Sequence, residues 1–391
     1  MTGGDGAPGL RPTYDVVVVG LGIMGASALY HLSRRGVRAL GVEAHGPLND
    51  LGSSHGHTRI FRRAYWEGEQ YVPLLNRSYA GWMQLDATAH DPIAVKAGGL
   101  FVGPPGSKLV QGSRDTAVRC GINHEYLDAG EISRRFPAFR VPQDAVAVHE
   151  PDALMLFADR ARLHYLSQAT AAGAHLVFGR TVRGLKPAAA GSSTVFGDGW
   201  QVGCGAVVLA AGGWIGGFLP GEIAPLIRPM RIPVYELDLA ESAEPDHRLG
   251  RFPVFLYEDA QGALVYGLPR FEAVDGGLKL GFHNRQLSPV DLEGERRPPT
   301  EAERLELWEA VRTLLPGVRS TGSGRSCVYT MSRDESFFIG RSKELEGVVY
   351  ASACSGHGFK FAPGIGEVLA QLALDGSSAL DVSAFSPERV S

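Results

Sequence analysis

Cysteine is scarce in this 391-residue chain: four residues, at 120, 204, 327 and 354, with no CxxC pair and no metal-like cluster with histidine. A disulfide scaffold is excluded, no metal is expected, and a reducing cytoplasm is the simplest setting. Excess charge of either sign is also lacking, since 38 basic residues stand against 42 acidic ones for a net charge of −4. Nothing global draws the chain to nucleic acid or to an anionic membrane surface. Long apolar runs are missing as well. Residues 16–33 and 199–221 carry no formal charge, but Gly20, Gly22 and Gly25 break the first, and repeated glycines and Pro220 break the second. Each reads as strand, tight turn and helix start, so no membrane span is expected. Residues 1–13, rich in glycine and proline, contain Asp5 and Arg11 and no apolar core. They do not form a signal peptide and are expected to be a disordered extension. No internal repeat is visible.

Glycine is abundant, with 51 residues, and its first cluster is legible. Residues 14–19, Tyr-Asp-Val-Val-Val-Val, form a β-branched run that ends at Gly20-Leu21-Gly22-Ile23-Met24-Gly25 and continues as a helical segment over 26–35. Gly36 ends the helix, and a strand over 37–42 finishes at Glu43, about 20 residues past the first motif glycine. The turn residues Gly20, Gly22, Ile23, Met24 and Gly25 bring backbone amides to a pyrophosphate at the positive end of the helix. Glu43 stands where a carboxylate accepts the hydroxyls of an adenosine ribose. The unit identifies the adenosine half of a cofactor and leaves NAD and FAD unseparated.

A second buried strand over 205–210 closes on Gly212, Gly213 and Trp214, as expected when one sheet is assembled from separated segments. A helix is expected over 157–172, with short alternating strands around 175–202. After residue 225 the pattern changes to polar–apolar alternation, and 232–239, 254–257, 263–268 and 278–283 read as antiparallel strands of a second domain. Residues 301–315 are helical by periodicity, and short strands return at 337–339 and 348–351. In the last helix Ile365, Val368, Leu369 and Leu372 fall at i, i+3, i+4 and i+7 before Gly376 as C-terminal cap. Ser355-Gly356-His357-Gly358-Phe359-Lys360 leads into it, a loop suited to holding negative charge.

Three further segments carry chemistry and also admit plain readings. In Gly52-Ser53-Ser54-His55-Gly56-His57-Thr58-Arg59-Ile60-Phe61-Arg62, a helical conformation would put Thr58, Arg59 and Arg62 on one face able to meet a carboxylate; the same residues suit a cap followed by solvated arginines. In Leu278-Lys279-Leu280-Gly281-Phe282-His283, alternation puts Lys279, Gly281 and His283 on one side, facing either a ligand or water. Cys327 and Tyr329 share a face of Ser326-Cys327-Val328-Tyr329-Thr330, where a cysteine is most often a small buried side chain.

These segments, in this order and spacing from about Tyr14 to Gly376, resemble the monomeric sarcosine oxidase and N-methyltryptophan oxidase family of D-amino-acid-oxidase-like flavoproteins. The resemblance implies a mixed α/β fold: an FAD-binding Rossmann-type domain over 14–85, 150–222 and 325–391, and a substrate domain over 86–149 and 223–324 with a large, mainly antiparallel β-sheet. It implies FAD bound covalently through its 8α-methyl to Cys327. Cofactor contacts are then expected from Gly20, Gly22, Ile23, Met24, Gly25, Glu43, Ser53, His55, Thr58, Arg59, Gly212, Trp214, Cys327, Gly356, Gly358 and Lys360. Arg62 and Lys360 match the pair that grips the substrate carboxylate. Tyr266, Tyr329, His283 and Tyr257 match pocket residues, and Lys279 matches the lysine that assists reaction with oxygen.

The implied activity is oxidation of the C–N bond of a secondary, N-methyl or cyclic amino acid, or an amine derived from one, to an imine. Reoxidation by O2 gives H2O2, and the enzyme is expected to be a cytoplasmic monomer. The alternatives are a flavin dehydrogenase with another electron acceptor, a nicotinamide enzyme, or a natural-product tailoring oxidase acting on a larger amine. Departures from the family bear on the substrate: His57 stands where sarcosine oxidases carry aspartate, Cys354 where they carry phenylalanine, and Tyr257 where a pocket methionine aligns. The hairpin at 270–277 reads as about two residues longer. A bulkier, more polar Tyr257 and the change at 354 argue against free sarcosine as the best substrate.

Overall fold

A computed structural model describes residues 9–188, 191–271 and 277–390. Within them the first sheet has eight strands, and its core is the parallel run His175–Phe178, Ala39–Glu43, Thr13–Val19, Trp200–Leu209 and Val348–Ser352. Val16, Val17 and Val18 are fully buried because helices cover one face and the apolar group around Leu40, Val207 and Tyr350 covers the other. That two-sided burial explains why these strands read as continuous apolar runs. The helices Ile23–Ser33, Ala158–Ala171 and Ala362–Asp375 pack against one another on the covered face. Gly376, at φ +75°, ends the last of them as expected.

The second sheet has nine strands and is antiparallel except where Val254–Glu258 runs parallel to Gly99–Gly103. Near one edge Ile227–Leu239 pairs on one side with Leu278–Phe282 and on the other with the 15-residue strand Val318–Ser332. The domain boundary expected at 325 falls inside this last strand, which runs unbroken across it. A three-stranded sheet of Thr58–Phe61, Leu154–Phe157 and Ala94–Lys96 lies apart from both.

Two local expectations change. Residues 58–62 are not helical: Thr58–Phe61 is a strand, with Phe61 in the core and Arg62 one residue beyond its end, so Arg59 and Arg62 share no helical face. Of the expected N-terminal extension, residues 1–8 lie outside the described residues, whereas Pro12 accepts a backbone bond from Gly203 (2.9 Å) and Thr13 opens the first strand. The longer hairpin at 270–277 falls largely on residues 272–276, which also lie outside the described residues. Within the described residues no helix is long and apolar enough to cross a membrane.

Candidate active site

A cavity of about 630 Å³ runs from the glycine turn to the junction of the two large sheets. Most of the residues expected from the sequence meet in its wall: Gly20, Gly22, Ile23, Met24, Glu43, Ser53, Thr58, Arg59, Arg62, Gly212, Trp214, Tyr266, Lys279, His283, Cys327, Tyr329, Gly356, Gly358 and Lys360. They come from nearly the whole length of the chain.

At the nucleotide end, Gly20 has φ +87°, and a Cβ there would stand 2.7 Å from the Ala210 carbonyl oxygen. Gly25 is not in the wall. Its role is packing, since a Cβ would lie 1.8 Å from the Gly20 oxygen; helix and turn touch only because neither residue has a side chain. The helix Ile23–Ser33 begins without an acidic residue in its first turn, and Ser54 Oγ accepts from the Ile23 amide at 2.9 Å. Glu43 accepts from the Leu21 amide (2.9 Å) through Oε2 and from the His45 amide (3.1 Å) through Oε1. Each carboxylate oxygen keeps a lone pair for a ribose hydroxyl.

The turn before Thr58–Phe61 is held by Arg59, which donates to the carbonyls of Ser53 (3.0 Å), His55 (2.6 Å) and Thr58 (2.8 Å). The Thr58 oxygen also accepts from Lys279 Nζ at 2.6 Å. Burial, aided by the Arg59 charge, pushes the Lys279 ammonium down to about 7, against Cys327 and Glu236. Ser53 Oγ donates to the Val328 carbonyl at 2.6 Å, which ties this turn to the strand carrying Cys327 and Tyr329.

At the other end Arg62 and Lys360 flank one ring: the guanidinium lies 4.3 Å and the ammonium 5.2 Å from the centre of Tyr65. Both are buried, at 3 % and 5 % exposure. Arg62 donates to Glu67 at 2.5 Å, and Lys360 Nζ donates to the His357 carbonyl at 2.6 Å. Burial and the Arg62 charge push Lys360 down to about 7. Burial works against Glu67, yet Arg62, His357 and Lys360 hold its carboxyl at about 2. Glu67 is the carboxylate bonded to Arg62, whereas Lys360 makes no ion pair among the described residues, so the cluster has a cation free to meet a further anion. His283, pushed down to about 4 by burial, is neutral. The Tyr266 and Tyr329 hydroxyls both face the cavity, and burial raises both above their usual range. Gly356 lies against this group: a Cβ there would meet the Tyr329 ring at 2.7 Å and His283 at 3.2 Å.

Two expectations are corrected. Tyr257 is not in the wall. Its neighbour Leu256 is, while Tyr257 packs on the opposite face of the sheet against the core that holds Phe139, Phe252 and Phe255. A strand alternates faces at every residue, so a one-residue slip in alignment reverses the assignment. The argument against sarcosine from Tyr257 falls with it; Cys354, which does line the cavity, keeps its bearing. Replacing Tyr257 with phenylalanine is expected to leave kcat/KM within about twofold, as steady-state assays would show. His55 lines a smaller neighbouring cavity instead of the main one.

Several residues of the site had no signal in the sequence. Tyr65 hydrogen-bonds His357 Nδ1 at 2.6 Å across 292 positions of chain. Its role, like that of Glu67, depends on a partner chosen by packing. Arg162, Arg180 and His45, at the nucleotide end, are further examples.

The residues fit FAD. The helix N-terminus and bare turn suit a pyrophosphate, Glu43 suits a ribose, and the buried Thr330 Oγ1 in the wall has no protein partner. No group of three or more metal-ligating side chains converges among the described residues.

The family described as DAO, FAD dependent oxidoreductase, matches residues 15–372. Monomeric sarcosine oxidase of Streptomyces avermitilis is 35 % identical over 392 residues, covering 97 % of this chain and 99 % of that protein. N-methyl-L-tryptophan oxidase of Yersinia pestis is 35 % identical over 379 residues, covering 96 % and 99 %. Among solved structures, NikD, an amino acid oxidase essential for nikkomycin biosynthesis, superposes with a TM-score of 0.81 at 26 % identity over 96 % of this chain and 98 % of that one. L-proline dehydrogenase from P. horikoshii, at 20 % identity over 97 % and 98 % and a TM-score of 0.82, shares the fold. With its dinucleotide cradle, its paired cations and these relatives along nearly its full length, the chain belongs to the DAO family of FAD-dependent oxidoreductases.

Proposed function

We propose that the chain oxidises the C–N bond of a secondary, N-methyl or cyclic amino acid to an imine and passes the electrons to O2, releasing H2O2. The observation that carries this reading is the Arg62–Lys360 pair beside the Tyr65 ring, at the far end of a cavity that begins in a dinucleotide cradle. Two cations fix a carboxylate at two points and so aim the adjacent C–N bond. Neutral His283 and the hydroxyls of Tyr266 and Tyr329 line the space beside them without adding charge, which suits a substrate amine that reacts in its neutral form. Bound FAD supplies the two-electron acceptor. Lys279, when protonated, supplies a positive charge where oxygen is to be reduced. The names of the Streptomyces and Yersinia relatives support the N-methyl amino acid class, and the word "monomeric" in the first supports a monomer. A cytoplasmic setting agrees with four unpaired cysteines. The two large sheets support the division into a cofactor domain (14–85, 150–222, 325–391) and a substrate domain (86–149, 223–324). Peroxide release from a panel of N-methyl and cyclic amino acids tests the activity; a yellow protein whose colour no amine bleaches without oxygen would exclude it.

The covalent link to Cys327 is part of the proposal. This side chain lines the cavity close enough to Lys279 and Tyr266 to shift both electrostatically. Acid precipitation is expected to leave yellow flavin in the protein pellet, and Cys327→Ser to release all of it to the supernatant. Wild-type colour found wholly in the supernatant refutes the link.

A further inference from the structure

Behind Lys279, on the side of the long strand pair Ile227–Leu239 and Val318–Ser332, lies a second cavity of about 20 Å³. A single water needs about 10–15 Å³ of such space, together with polar partners. The inner wall supplies them. His55 is 6 % exposed, and its Nε2 is buried without a partner. Lys279 lines both this cavity and the main one. Its ammonium has three N–H donors; Thr58 takes one or two, through its carbonyl at 2.6 Å and more weakly its hydroxyl at 3.5 Å, and at least one remains. The outer wall is open to solvent: His57, Ser323 and Arg325 are exposed, with Arg325 Nη2 3.5 Å from His57 Nε2 and 3.7 Å from Glu236 Oε1. Glu236 stands directly across the sheet from Lys279 on one side and from Ser323 on the other. A polar, water-sized space thus separates a buried ammonium from three exposed residues, and one of its walls is an unsatisfied imidazole nitrogen.

We propose that this cavity holds a water bridging Lys279 Nζ and His55 Nε2, and that the opening between His57 and Ser323 is the port through which solvent protons reach Lys279. The inference rests on the reading of O2 as electron acceptor. Oxygen takes two electrons and one proton from the anionic reduced flavin and one further proton from solvent, which gives H2O2 and oxidised flavin. The solvent proton must reach Lys279, and this port leads to it from the exposed residues His57 and Ser323. His55 and Glu236 are positioning residues in this scheme, acting through the water and Lys279.

Two measurements on the holoenzyme test it. A crystal structure is expected to show a water within hydrogen-bond distance of both His55 Nε2 and Lys279 Nζ; a dry cavity, or one filled by the flavin ring, overturns the water site. Ser323→Phe and His57→Phe place a ring in the mouth without touching the main cavity. With flavin photoreduced in the absence of any amine, either variant is expected to slow reaction with O2 by about tenfold or more, while anaerobic reduction by the amine stays at the wild-type rate. Unchanged reoxidation in both variants overturns the port. Photoreduction needs no substrate, so failure of the port and failure of the amine assignment give different results.

Discussion

Replacing Lys279 with methionine is expected to slow reoxidation of the reduced flavin by O2 roughly 10²–10³-fold, with reduction by the amine changed no more than a few-fold. Methionine keeps the length of the side chain and removes its charge. The first electron onto O2 makes an anion inside a cavity from which water is largely excluded, and there a charge already in place costs no reorganisation. Lys279 is in place because its strand is central in the nine-stranded sheet and the Thr58 oxygen holds its Nζ at 2.6 Å. Stopped-flow measurement of the two half-reactions separates the effects. If both slow equally, Lys279 has no special part in oxygen reduction, and a dehydrogenase with another acceptor becomes the better reading.

The second large effect is at the carboxylate clamp. Arg62→Gln is expected to cost about 2–5 kcal/mol of substrate binding, read as a fall of roughly 30-fold or more in kcat/KM. The variant also strands Glu67, whose carboxylate is buried against Arg62. The double variant Arg62→Gln/Glu67→Gln removes that stranded charge, so it should regain stability without regaining affinity. Recovery of affinity in the double variant would show that the loss was structural and not due to a missing clamp. Lys360 adds a pH signature. Its ammonium is pushed down to about 7 by burial and the neighbouring Arg62, with Glu67 opposing, so it is charged below that pH and neutral above it. A competitive inhibitor with a thioether in place of the amine has no titrating nitrogen of its own. Its Ki is expected to be flat below pH 7 and to rise up to tenfold per unit above it, a trend that Lys360→Met should abolish.

The legible parts of the site are those whose chemistry is local. Strand, glycine turn, helix start and Glu43 lie within some thirty consecutive residues, and each step follows from backbone sterics and the helix dipole. Alternation in 278–283 likewise put Lys279 and His283 on one side before any sheet was known. Short segments were harder. Thr58–Phe61 is four residues long, too short for a helical period to be told from a strand period, and the arginine spacing that suggested a shared helix face has no meaning in a strand.

Tyr257 shows a different limit. The alternation of 254–258 is plain in the sequence, but which of its two faces looks into the cavity depends on what packs behind it, here the core that holds Phe139, Phe252 and Phe255. Tyr65 is known as a site residue only from its contact with His357 across the fold. By itself the amino-acid order determined the dinucleotide cradle, the two sheet types and the residue types available for an ionic clamp, because these depend on neighbours within a turn or a strand pair. Only the tertiary structure decided which cations share the Tyr65 ring, which face of each strand lines the cavity, and that a second small cavity opens behind Lys279. Those depend on close packing between segments hundreds of residues apart, where a single shift in register would place a different side chain at the site.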